Sequence, residues 1–111
     1  LMNRALAALE EKNLEALGPV IRMSYLRMFS TMFSADPPLM YWNQASMAVL
    51  KECEALREAG ISAWETMDAG PQVKVFCESS RAEEIAGRLG ALAGVETVVC
   101  SPGPSAAVPD Q

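Results

Sequence analysis

The chain has 111 residues, half of them hydrophobic, enough for one domain with a buried core. Its net charge of −5 and the absence of any basic run argue against a nucleic-acid partner, and its apolar runs are too short to cross a membrane. With no His and three widely spaced Cys, neither a zinc site nor a His base is expected; the thiols read as reduced and mostly buried.

The opening Leu1-Met2-Asn3-Arg4-Ala5 already reads as helix, which suggests a start inside a larger protein, and no secretory signal is apparent. The spacing predicts a first helix over 1–12, with Ala5, Leu6 and Leu9 on one side. Asn13 suits the N-cap of a second helix over 14–35, with Leu17, Val20, Ile21, Ser24, Met28 and Met32 near one face. Gly18-Pro19 interrupts that run, so a kink or a restart is expected there. The methionines Met23, Met28, Met32, Met40 and Met47 read as core filler. Asp36-Pro37-Pro38 ends the second helix, because residues before Pro avoid the α region.

A third helix is predicted over 39–59, with Met40, Met47, Leu50, Cys53 and Leu56 inward and Asn43 and Val49 flanking. Lys51, Glu52, Glu54, Arg57 and Glu58 form its solvated face, and Gly60 is the expected C′ residue. Strands follow over 61–67 and 72–78, joined by Asp68-Ala69-Gly70-Pro71. Trp64, Thr66, Val73 and Val75 suit a half-buried pleated surface. Gly70 accepts positive φ, and Asp68 sits where a turn between rigid strands can present it to a ligand or simply start the turn. Ser80-Arg81-Ala82-Glu83 is a capping-box pattern for a fourth helix over 80–92, and Val95 to Cys100 reads as a third strand. The domain is expected over 1–100, and the Pro-, Ser- and Gly-rich residues 101–111 as a disordered tail.

Thr66-Met67-Asp68-Ala69-Gly70-Pro71 followed by Gln72-Val73-Lys74-Val75 closely resembles the signature near the C-terminus of diphosphomevalonate decarboxylases, in the GHMP kinase superfamily. Upstream, Pro37-Pro38-Leu39-Met40-Tyr41-Trp42-Asn43-Gln44-Ala45-Ser46 is similar to the same family's Pro-Pro segment, and the resemblance covers roughly Leu14 to Val99. It implies an α+β fold: a ferredoxin-like C-terminal domain with helices on one face of a small antiparallel sheet, its first strand missing here. It also implies an ATP-dependent, cytoplasmic enzyme of isoprenoid synthesis, with mevalonate diphosphate as substrate. ATP and Mg2+ would be bound mainly by an N-terminal domain that this stretch lacks, leaving this chain alone inactive. By the same resemblance, Asp68 is the catalytic base toward the substrate's 3-hydroxyl, and Ala69 and Gly70 let the backbone approach the substrate.

The sequence departs from the family at Gln72, where Asn is usual, at Leu26, where Asn is usual, and at Phe29-Ser30-Thr31, where His-Ala-Thr is usual. Alternatives therefore stay open: a diverged kinase or decarboxylase acting on another mevalonate phosphate, or a non-catalytic ferredoxin-like binding module. The exposed sheet edge also leaves pairing, including a homodimer, open.

Overall fold

The computed structural model describes residues 1–109, so the last two residues of the expected tail, 110 and 111, lie outside the described residues. Four α-helices and one small sheet form an α+β domain: α1 Met2–Glu10, α2 Leu14–Phe33, α3 Gln44–Glu58, β1 Trp64–Thr66, β2 Lys74–Phe76 and α4 Ala82–Gly90. Ser101 to Pro109 carry no regular structure and are exposed.

Helix ends follow cap chemistry. Asn13 Oδ1 accepts the Ala16 N–H at 3.1 Å and starts α2. Asn43 and Ser46 form a reciprocal capping box at α3. That box moves the start of α3 five residues past the expected 39, because Asn43 holds an extended backbone and residues 39–43 stay irregular. At the other end Gly60 has φ +84°, its N–H donates to the Arg57 carbonyl, and Ile61 N–H donates to the Leu56 carbonyl. This pair of bonds is a Schellman ending. The capping box expected at Ser80 and Glu83 does not form. Ser79–Arg81 instead makes a 3-10 turn that leads straight into α4, so Ser80 is not the residue flanking the helix.

α2 runs unbroken through Pro19, without the restart that the sequence allowed. Its inward face is Gly18, Val20, Tyr25 and Phe29, whereas Ser24 and Met28, expected inside, are exposed. The cause is Trp64. A Cβ on Gly18 would fall against Cδ2, Cε2 and Cγ of the indole, so Gly18 is the notch that lets α2 lie on β1. In α1 the buried residue is Ala8, and Leu6 and Leu9 point to solvent. Of the methionines read as core filler, Met32 packs half-buried against Tyr25, Phe29, Leu50 and Met67, whereas Met28, Met40 and Met47 are exposed; Met67, just after β1, is itself buried.

β1 and β2 pair antiparallel in the register Trp64 with Phe76, Glu65 with Val75, and Thr66 with Lys74. Val49, Cys53, Leu56, Ala63, Ile85 and Leu89 form one core cluster between α3, α4 and the sheet. Tyr25, Phe29, Leu50 and Met67 form a second, capped by Trp42. The third strand expected at 95–100 is not formed. A groove of about 360 Å³ lies between Val73, Val75 and Cys77 on one side and residues 94–100 on the other, floored by Val49, Ile85 and Leu89. A strand exists only through a ladder with a neighbour. Across this gap none reaches β2, and Thr97 Oγ1 donates instead to the Ala86 carbonyl in α4 at 3.3 Å.

Candidate active site

The loop Met67–Val73 joins β1 to β2 and carries the expected site. Asp68 and Ala69 are exposed at its tip and Gly70 is half-buried. Gly70 has φ +87°, a conformation that strains a residue with a Cβ. A Cβ there would stand 3.3 Å from Trp42 Cδ1 and 3.8 Å from the Tyr41 carbonyl carbon. The turn therefore rests on the Tyr41-Trp42 stretch, and the two separate segments singled out in the sequence form one surface. Trp42 is held edge-on by Phe29 and Phe33, with ring centroids at 4.9 and 5.5 Å.

Asp68 Oδ2 accepts from Lys74 Nζ at 2.8 Å, with the two side chains 90% and 65% exposed. An ion pair this open is readily exchanged for a ligand, because water already competes for both partners. Asp68 is thus an accessible carboxylate beside a cation, able to orient a hydroxyl and accept its proton. Lys74 was not singled out by sequence. Its signal is a cation and an anion at the two ends of one short hairpin loop.

A second feature was missed outright. Glu65 is fully buried, although it is charged and stands between Trp64 and Thr66, the residues read as suiting a half-buried surface and found half-buried. Its carboxylate accepts from Arg57 Nη1 at 2.8 Å, from Arg22 Nε at 3.1 Å and from the Tyr25 hydroxyl. Arg57, expected on the solvated face of α3, turns inward, donates also to the Ala63 carbonyl at 2.6 Å and lies 4.7 Å above the Trp64 ring. A buried carboxylate is tolerable only when paired and hydrogen-bonded, and here three donors from α2 and α3 meet it. The network holds the start of the hairpin against both helices. Leu26 and Phe29, at positions where the resembling family carries polar residues, pack in the adjacent cluster, so both serve the core.

The thiols are free: Cys53 buried, Cys77 half-buried and Cys100 exposed, so only one of the three is truly inside. Burial, helped by the Glu65 charge, pushes the Cys53 thiol up to about 12, which makes it a poor nucleophile at neutral pH. Burial and the hydrogen bond to Glu65 likewise push the Tyr25 hydroxyl up from 10.0. Both groups hold protons in the fold that the unfolded chain releases. Stability is therefore full below pH 9, the ordinary value for the thiol, and falls as pH climbs toward 12, by up to about 1.4 kcal/mol per pH unit for each group. Urea midpoints measured from pH 8 to 11 are expected to decline. Cys53→Ala should flatten the slope between pH 9 and 10, and an unchanged slope there would show that the thiol ionises as freely in the fold as out of it.

Among the described residues no group of three or more His, Cys, Asp or Glu is placed to hold a metal, and no helix is long and apolar enough to cross a membrane.

No family model matches the chain, and no curated protein matches it significantly. Solved structures do. Mevalonate diphosphate decarboxylase from Staphylococcus aureus is 38% identical, with a TM-score of 0.76, over 79% of this chain and 27% of that one. The enzyme of the same name from Enterococcus faecalis, studied for mevalonate diphosphate mediated ATP binding, is 30% identical with a TM-score of 0.76, over 84% of this chain and 29% of that one. A protein called MDDEF, solved with MVAPP, AMPPCP and magnesium, is 32% identical with a TM-score of 0.78, again over 84% and 29%. The chain thus spans less than a third of the length of the solved proteins it matches.

Proposed function

We infer that the chain is the C-terminal part of a mevalonate diphosphate decarboxylase, residues 1–100 forming a portion of one domain and 101–111 a tail. The whole protein would phosphorylate the 3-hydroxyl of mevalonate diphosphate from ATP, then lose phosphate and CO2 to give isopentenyl diphosphate. The observation that carries this reading is the meeting of the Asp68-Ala69-Gly70-Pro71 turn with Tyr41-Trp42: two sequence matches distant in the chain make one surface. Likeness at 30% identity or more over about four-fifths of the chain supports it.

In this reading Asp68 accepts a hydrogen bond from the 3-hydroxyl, fixes its direction and takes its proton as the oxygen becomes a nucleophile. Ala69 and Gly70 have little side chain to obstruct the substrate at the exposed tip. Among the described residues nothing builds an ATP and Mg2+ site. Gly87 and Gly90 lie within or at the end of α4, Gly94 in the turn after it, and none builds a phosphate cradle. Those ligands would be held by other parts of the parent protein. A strand from the parent would also fill the groove beside β2. The parent is read as cytoplasmic, where free thiols persist.

The test is the intact parent supplied with mevalonate diphosphate, ATP and Mg2+. Phosphate and CO2 are expected together. Turnover of a different mevalonate phosphate would favour a diverged enzyme, and none at all would leave a binding module. The 111-residue chain alone is expected to release no phosphate from ATP.

A further inference from the structure

The loop that carries Asp68 has few polar ties. Among the described residues, and outside the β1–β2 ladder, residues 67–73 make no backbone–backbone hydrogen bond. Two side-chain bonds hold the loop: the exposed Lys74–Asp68 pair and a bond from Ser46. Ser46 is only 2% exposed, and its Oγ lies 2.7 Å from the Pro71 carbonyl oxygen, 25 residues away. The hydroxyl has one proton to give. Asn43 Oδ1, at 3.0 Å, already takes the Ser46 backbone N–H at 2.8 Å, so the shorter bond to Pro71 is the one the proton makes. In return Ser46 Oγ accepts the Asn43 N–H at 3.4 Å. One side chain thus caps α3 and clamps the turn three residues after Asp68.

We propose that Ser46 is a positioning residue: its hydroxyl, anchored in the first turn of α3, fixes the Asp68 loop so that the carboxylate points at the substrate hydroxyl. This rests on the reading of Asp68 as the base. The cap alone does not require it, since Asn43 satisfies the Ser46 amide with its own side chain. Gly70 resting on Trp42 restrains the loop from the apolar side, and Ser46 supplies the only buried polar restraint among the described residues. Misplacing a catalytic group by about 1 Å can cost on the order of 10²-fold in rate.

The experiment uses the intact parent protein with Ser46→Ala, Asp68→Asn and the double variant. Ser46→Ala should lower kcat by about 10- to 100-fold with the KM for ATP unchanged. In the Asp68→Asn background it should lower kcat no further, because a residue that acts through the carboxylate has nothing left to position. Equal losses in both backgrounds, or no loss in either, would overturn the proposal. Backbone 15N order parameters of residues 68–70 and 72 provide a readout that does not depend on the chemistry. Lower values in Ser46→Ala are expected, and unchanged values would show that there is no clamp. If Asp68→Asn turns over normally while the order parameters still fall on removal of the Ser46 hydroxyl, the base reading fails, and with it the part of Ser46 in the reaction, while the clamp stands as structure alone.

Discussion

Glu65→Ala is expected to cost about 3–5 kcal/mol of folding stability, the usual penalty for removing one partner of a buried ion pair. The variant strands Arg57, whose side chain is 15% exposed, and leaves the Tyr25 hydroxyl without its acceptor in the core. Arg22, 35% exposed, can turn to water or to Glu54 and should lose little. For a domain whose total stability is about 5–15 kcal/mol, such a loss is a large fraction of the whole. Glu65→Gln keeps the shape and one acceptor oxygen and should fall between wild type and Ala. Glu65→Leu combined with Arg57→Met should recover much of the loss, since a well-packed apolar pair of similar volume can match a buried ion pair. Urea unfolding of the four proteins decides the matter. A cost below about 1 kcal/mol for Glu65→Ala would mean that water reaches the carboxylate and that the network does not organise the hairpin.

Asp68→Asn should act in the opposite way, on rate and not on fold. In the intact parent, turnover is expected to fall by about 10²- to 10⁴-fold, the range for a positioned acid–base group. The melting temperature should hardly move. Asp68 is exposed, its one ion pair is with an exposed Lys74, and Asn is as acceptable in a turn as Asp. Turnover and melting temperature measured on the same preparation separate this from a purely structural role, which would lower stability and leave activity per folded molecule intact. Near-normal turnover would remove Asp68 from the chemistry.

What the sequence revealed was local. Gly60, Asn13 and the Pro37-Pro38 break were legible because caps and breaks depend on neighbours within a few positions. The Asp68 turn was legible for the same reason. The Glu65 network was not, because its partners stand 8, 40 and 43 residues away and no periodicity links them. Trp64 and Thr66 are half-buried, as their residue types suggest, yet three residues are too short a pattern to show that the charged Glu65 between them is the fully buried one. The rotation of α2 was hidden likewise, because Gly18 read as a helix breaker and only Trp64 explains its place. The third strand failed for a physical reason: Val-rich sequence gives propensity, and a ladder needs a neighbour within reach.

The two tryptophans stand at the two seams that matter. Trp64 lies in the notch of α2 beneath Arg57, its indole N–H donating to Ser62 Oγ at 2.7 Å. Trp42 sits among Tyr25, Phe29 and Phe33 with its indole nitrogen buried and unpartnered, directly against the Asp68 turn. No other residue of the chain is a tryptophan. Fluorescence of single-Trp variants, with Phe at the other position, therefore reads the two regions separately. The Trp64 signal follows the docking of α2 on the hairpin, and the Trp42 signal follows the turn, so loosening of the loop can be watched optically without unfolding the domain.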